Sequence, residues 1–162
     1  MKRCALSVVL VLGLLFVACG KDEPTADPDT GAEEPSQSPE AEGGPVLITA
    51  TEYAFDLPGE LPAGQTTFSL ANAGEEKHFI QIVKLTDDAP PVADLIKMPD
   101  DKVGNYFEGR PNDIPTVKPG ETSAKTIEID LVAGRYGYVC FIEAKDGTPH
   151  ALLGMSGEFV VQ

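Results

Sequence analysis

The chain has no tryptophan, only two histidines and three cysteines, and few cations. Twelve Lys and Arg stand against 26 Asp and Glu, so the formal net charge is -14. Nucleic acids and anionic lipid headgroups are bound by basic side chains, and a surface of this charge repels both. The scarcity of cations therefore argues against nucleic-acid binding.

Length and composition indicate one β-rich domain. A chain of 162 residues is long enough for a single domain together with targeting and tether segments. Its 16 Gly and 14 Pro indicate many turns, while 42% hydrophobic residues suffice for a core. We expect an all-β fold.

The first 18 residues are typical of a secretory signal peptide. Lys2 and Arg3 precede an apolar run over residues 5–17. The run is shorter than the about 20 residues that a membrane span needs. The sequence Leu-Phe-Val-Ala-Cys-Gly at 15–20 resembles a bacterial lipobox, which implies a leader over 1–18 and a lipidated, palmitate-bearing Cys19. Ordinary cleavage after the small-x-small triplet at 18–20 is the alternative.

Residues 19–45 predict a disordered linker. Between Gly20 and Pro45 there is no Val, Ile, Leu, Met or aromatic residue, and eight acids repel one another. A segment with nothing to bury stays extended and solvated. Residues 46–162 remain for the folded domain. Export and lipidation together place the protein at the outer face of the cytoplasmic membrane, or in the periplasm or cell envelope.

The domain is about the size of one β-sandwich. A largely apolar run at 78–85 predicts a central strand that is buried on both faces. Residues 86–114 break the strand pattern and predict an insertion or long crossover with one or two helical turns near 92–97. Further strands are predicted at 46–55, 66–71, 126–131, 135–141 and 157–161.

The few side chains suited to metal binding stand at strand ends. His78 begins the central strand, Cys140 ends the penultimate one, and His150 and Met155 precede the last. With Cys19 acylated, Cys140 has no disulfide partner, and a free thiol in an oxidising compartment is stable when it is buried or metal-bound. Two His, one Cys and a weak axial Met suit copper.

Two segments resemble the cupredoxins, the blue type 1 copper family that includes plastocyanin and azurin. Asn72-Ala-Gly-Glu-Glu-Lys-His78 is similar to the loop that carries the first family histidine. Gly134-Arg-Tyr-Gly-Tyr-Val-Cys140 with the segment 150–159 is similar to the C-terminal ligand loop. The resemblance implies a Greek-key β-sandwich that binds one copper ion, with His78, Cys140 and His150 as equatorial ligands and Met155 as the axial one.

The spacing departs from the family at one point. Nine residues separate Cys140 from His150, where cupredoxins have only a few, although Asp146-Gly147 supplies a turn for the loop to fold back. Taken singly, a buried Cys, a hydrogen-bonded His and a core Met explain these residues without metal. Zinc also suits two His and one Cys, but no carboxylate stands in an evident general-base position.

The resemblance implies a lipid-anchored carrier of single electrons rather than an enzyme, and no hydrolase or phosphate-binding motif is present. It also implies that electrons pass through an exposed edge of His150, which Leu152 and Leu153 flank. The acidic surface predicts a redox partner with a basic docking patch. A copper-delivery lipoprotein and a metal-free interaction module are the alternatives, because fold alone does not decide function.

Overall fold

The computed structural model describes residues 44–162, within which nine strands form two sheets. The predicted leader over 1–18, the lipidated Cys19 and nearly all of the predicted linker over 19–45 lie outside the described residues. The strands are β1 Val46–Thr51, β2 Ala54–Asp56, β3 Glu60–Leu61, β4 Gly64–Asn72, β5 His78–Leu85, β6 Phe107–Val117, β7 Ile127–Leu131, β8 Gly134–Val139 and β9 Ser156–Val161.

One sheet has the strand order β2-β1-β4-β7 and the other β3-β9-β8-β5-β6. The residues of β7 alternate between core and solvent, so one face of this strand packs against the other sheet and the opposite face is exposed to water. Buried residues from both sheets form one core, in which Phe68 of β4 and Phe159 of β9 approach with ring centroids 6.2 Å apart. These observations confirm the predicted all-β sandwich.

A second apolar cluster covers the outer face of β5. Helix α1, Val92–Leu95, packs on Val83 and Leu85. Strand β5 is therefore buried on both faces along its later half, which explains why its sequence is almost continuously apolar. Helix α2, Asp100–Val103, and a 3₁₀ turn, Gly104–Tyr106, lead back to the sheet. Within residues 44–162 no helix is long and apolar enough to span a bilayer.

The predicted insertion over 86–114 is only partly correct. The helical turns are present, but residues from Phe107 onward form strand β6, which pairs with β5 at the edge of the sheet. This strand was missed because it contains Gly109, Pro111 and Pro115, and the sequence pattern of an interior strand excludes proline. An edge strand has one side free of ladder bonds and therefore tolerates it.

Candidate metal centre

Three adjacent strands of the second sheet bring the candidate residues to one end of the sandwich. His78 is the first residue of β5, Cys140 directly follows β8, and Met155 directly precedes β9. Strand β8 runs antiparallel to both neighbours, with Val139 opposite Gln81 on one side and Ser156 on the other. The beginning of β5, the end of β8 and the beginning of β9 therefore lie side by side.

The long segment between Cys140 and His150 folds back on itself as a small hairpin. The Ala144 N–H donates to the Thr148 carbonyl at 2.9 Å, and the His150 N–H donates to the Ile142 carbonyl at 2.8 Å. Gly147 makes the turn at φ 83°, a conformation that favours glycine. Because the extra residues are absorbed in this hairpin, the unusual spacing does not separate the two side chains.

The two histidines and the cysteine meet in one buried cluster. Their ligand atoms all lie within 4.8 Å of one another. The Nδ1 atoms of His78 and His150 are 3.2 Å apart, and the Cys140 Sγ is 3.8 Å from the His150 Nδ1. All three residues have 0% exposure. The structure thus brings together three side chains that the sequence placed at separate strand ends.

Met155 is buried beside this cluster and belongs to the same core as Cys140. Its carbonyl accepts the Cys140 N–H at 3.0 Å, and its own N–H donates to the His150 carbonyl at 2.9 Å. The backbone therefore fixes Met155 against both residues. Its role as an axial ligand remains a prediction, as do the three equatorial roles.

Each histidine turns its second ring nitrogen to a carboxylate. The His78 Nε2 lies 3.4 Å from Glu52 Oε1, and the His150 Nε2 lies 3.0 Å from Glu76 Oε2. Neither glutamate was predicted as part of the site. Glu76 stands two residues before His78, so its place near the site could have been predicted from the sequence. Glu52 is 26 residues from His78, and nothing in the sequence indicated that it is near the site.

The bend before His78 is held by hydrogen bonds to side chains. Glu52 Oε1 accepts the backbone N–H groups of Glu75 and Glu76 at 2.6 and 2.8 Å. The buried Asn72 amide donates to the Glu76 and Val117 carbonyls, and its oxygen accepts the Gly74 N–H. A Cβ at Gly74 would overlap the Glu52 carboxylate and displace it from these hydrogen bonds.

Burial and hydrogen bonding set the protonation of the cluster. Burial raises the pKa of Cys140, although the Phe79 and Ile142 backbone N–H groups oppose this. Burial also lowers the pKa of His78, against its hydrogen bond with Glu52. Burial acts to raise the pKa of Glu52, but the backbone N–H groups of Glu76 and Glu75 outweigh it and lower that pKa. Without metal, a neutral thiol and a neutral His78 are favoured.

The predicted exposed edge of His150 is wrong. The residue is fully buried, because Glu76 covers its Nε2 and the Tyr53 ring packs against it with centroids 4.8 Å apart. Leu152 and Leu153 are exposed, but they do not flank an open imidazole. The sequence could not show this, since Tyr53 reaches the site from the loop between β1 and β2.

The donor set fits a copper ion. Ligand atoms about 2.0–2.3 Å from a common ion, arranged trigonally, lie about 3.5–3.8 Å from one another. Two of the three observed separations, 3.2 and 3.8 Å, are close to these values, and the third is no more than 4.8 Å, so binding requires His78 and Cys140 to move closer together. Two imidazoles and one thiolate form the trigonal set of blue-copper sites.

No protein-family model and no curated protein matches the chain. Among solved structures, a reduced auracyanin from Roseiflexus castenholzii is 25% identical, with 72% of this chain and 94% of that one covered and a TM-score of 0.46. Auracyanin A, a "blue" copper protein from Chloroflexus aurantiacus, is 24% identical, with coverage of 74% and 100% and a TM-score of 0.46. Reduced rusticyanin is 24% identical, with coverage of 72% and 75% and the same TM-score.

The fold and the site agree with what the sequence resemblance implies. Two packed sheets carry a His-Cys-His cluster at the ends of β5, β8 and the hairpin that follows β8. The chain has the two-sheet β-sandwich that the cupredoxin resemblance implies, and its buried His-Cys-His cluster is consistent with one type 1 copper ion.

Proposed function

We propose that the protein carries single electrons between redox partners, using one copper ion held by His78, Cys140, His150 and Met155. The observation that supports this most directly is the convergence of two Nδ1 atoms and one Sγ in a fully buried cluster. When bound there, copper would supply a reversible one-electron couple between Cu(I) and Cu(II).

The protein's part is to hold the donors in place. His78 and Cys140 lie at the ends of paired strands, and backbone hydrogen bonds tie His150 to Ile142 and Met155. Cores packed in this way resist movement, so the ligand geometry changes little between oxidation states. Complete burial also excludes water from the donor atoms. Both properties favour fast electron transfer.

Electrons then reach the site through covering residues rather than through an open imidazole. Tyr53 lies against His150 and is partly exposed, so it offers a contact between the buried ring and a docked partner. The net charge of -14 favours a partner with a basic docking patch. Copper delivery and a metal-free interaction role are the alternatives that the experiment below separates.

The proposed location is the outer side of a membrane, with Cys19 carrying lipid. The support is the cationic, apolar leader and the lipobox-like sequence at 15–20. Cell fractionation of the full chain tests this. Wild-type protein is expected with the membranes and to incorporate labelled palmitate, whereas Cys19→Ser is expected to incorporate none, and equal labelling of the two would contradict lipidation.

A redox titration of the copper-loaded chain tests electron transfer. We expect a reversible one-electron couple, retention of copper through repeated cycles, and slow loss of copper to a chelator. Rapid exchange of copper with the chelator would favour delivery, and no copper binding would favour the metal-free role. Either of these results would contradict the proposal.

A further inference from the structure

The two candidate ligand histidines share one hydrogen-bonding arrangement. Each directs Nδ1 toward the cluster and Nε2 toward a carboxylate, Glu52 for His78 and Glu76 for His150. The two glutamates come from different loops, Glu52 between β1 and β2 and Glu76 between β4 and β5. The same pairing is thus built twice, from unrelated parts of the chain.

This pairing determines the tautomer of each ring. An ionised carboxylate only accepts hydrogen bonds, so the Nε2 that faces it carries the proton. A neutral imidazole has one N–H, which leaves the lone pair on Nδ1. Carboxylate partners of this kind orient metal-binding histidines and raise their basicity. Both Nδ1 atoms then present lone pairs, which repel each other at 3.2 Å unless a cation lies between them.

We infer that Glu52 and Glu76 are positioning residues of the proposed copper site, and that Glu76 also sets its reduction potential. The inference rests on the proposed function, which supplies the metal. Glu76 makes the shorter contact, at 3.0 Å, and its side chain is 17% exposed, against 3.4 Å and 31% for Glu52. Its charge is therefore less screened by water.

The two glutamates are linked, because one holds the backbone of the other. Glu52 accepts the backbone N–H of Glu76 itself, so it holds the residue that holds His150. Glu76 then closes the Nε2 side of His150. Because a negative charge stabilises the more positive oxidation state of an ion, Glu76 lowers the reduction potential.

Two substitutions separate the charge from the hydrogen bond. Glu76→Gln keeps an acceptor oxygen and removes the charge, so it is expected to raise the reduction potential while keeping the Nε2–H tautomer of His150. Glu76→Met removes the acceptor, so it is expected to lose that tautomer and to weaken copper binding by about ten- to hundredfold. Glu75→Gln is the matched control, because Glu75 is exposed and contributes only its backbone N–H.

The tautomers are read by ¹⁵N NMR of the imidazoles in the metal-free full chain. Copper affinity is measured by chelator competition and the potential by redox titration. Glu76→Gln and Glu75→Gln with equal potentials, or Glu76→Met with the wild-type tautomer and affinity, would overturn the inference. Wild-type protein that binds no copper would instead overturn the proposed function, and the tautomer measurement distinguishes the two failures because it requires no metal.

Discussion

Individual side chains supply the donor atoms of the site, and others cover those atoms from solvent. Cys140 is the only cysteine among residues 44–162, and a ring nitrogen of each of the two histidines lies within 4.8 Å of its Sγ. Sequence alone singled out these donors because they are so few. Glu52, Glu76 and Tyr53 complete the site, but they are common residue types, and only the folded backbone distinguishes them from others.

Met155 provides the first test at this scale. Leu has nearly the same volume, so Met155→Leu is expected to reduce the free energy of unfolding by less than about 1.5 kcal/mol. Loss of the weak axial sulfur is expected to raise the reduction potential while the thiolate-to-copper colour remains. Redox titration of the copper-loaded variant checks this, and a potential equal to that of the wild type would show that the sulfur does not act on the ion.

The buried His78 is expected to make the free energy of unfolding of the metal-free protein depend on pH. Burial lowers its pKa below 6.5 in the folded state, so below pH 6.5 the unfolded chain binds more protons than the folded one. Stability from this residue is present above pH 6.5 and falls as the pH decreases toward the folded pKa, by at most about 1.4 kcal/mol per pH unit. Urea unfolding between pH 5 and 8 measures it. His78→Gln should flatten the profile, and an unaltered slope would contradict the assignment.

Among the secondary-structure elements, the sequence predicted strands with a regular apolar pattern better than strands and loops without one. Strand β5 has neighbours on both sides and a largely apolar sequence, and the edge strand β7 was recognised from its regular alternation. Strand β6 is an edge strand whose proline, glycine and polar residues conceal it. The hairpin between Cys140 and His150 depends on backbone hydrogen bonds such as Ala144 to Thr148, which residue types alone do not specify.

The attachment of helix α1 to the sheet gives a test at this scale. Glu158 on β9 accepts two hydrogen bonds from Arg135 and one from the Val92 N–H, at 2.7–2.9 Å. Glu158→Ala is expected to lower the free energy of unfolding by about 1–3 kcal/mol, because it leaves these donors unpaired. Chemical unfolding measures the loss, and hydrogen exchange is expected to quicken around α1.

The control for this substitution is Glu121→Ala. Glu121 makes an exposed contact with Lys118 at 3.9 Å, so its removal is expected to change stability by less than about 0.5 kcal/mol. Equal losses in the free energy of unfolding for the two substitutions would show that Glu158 does not stabilise the attachment of helix α1.

For the whole molecule, net charge governs encounters with partners. At -14, the chain attracts a basic redox protein over distances that dissolved salt shortens. The bimolecular rate of electron transfer to a small basic redox protein is expected to fall several-fold between about 0.01 and 0.2 M ionic strength. Stopped-flow absorbance measures this rate. A rate that is constant or rises with salt would contradict electrostatic docking.

Cys140, His78 and His150 are proposed to bind one copper ion together, with the cysteine as a thiolate. This is tested by the visible absorption and EPR spectra after one equivalent of Cu(II) is added to the metal-free full chain, with Cys140→Ser as the control. We expect an intense thiolate-to-copper band and narrow hyperfine splitting in the wild type, and neither in the variant. Weak absorption with wide splitting, or the same spectrum in both proteins, would contradict it.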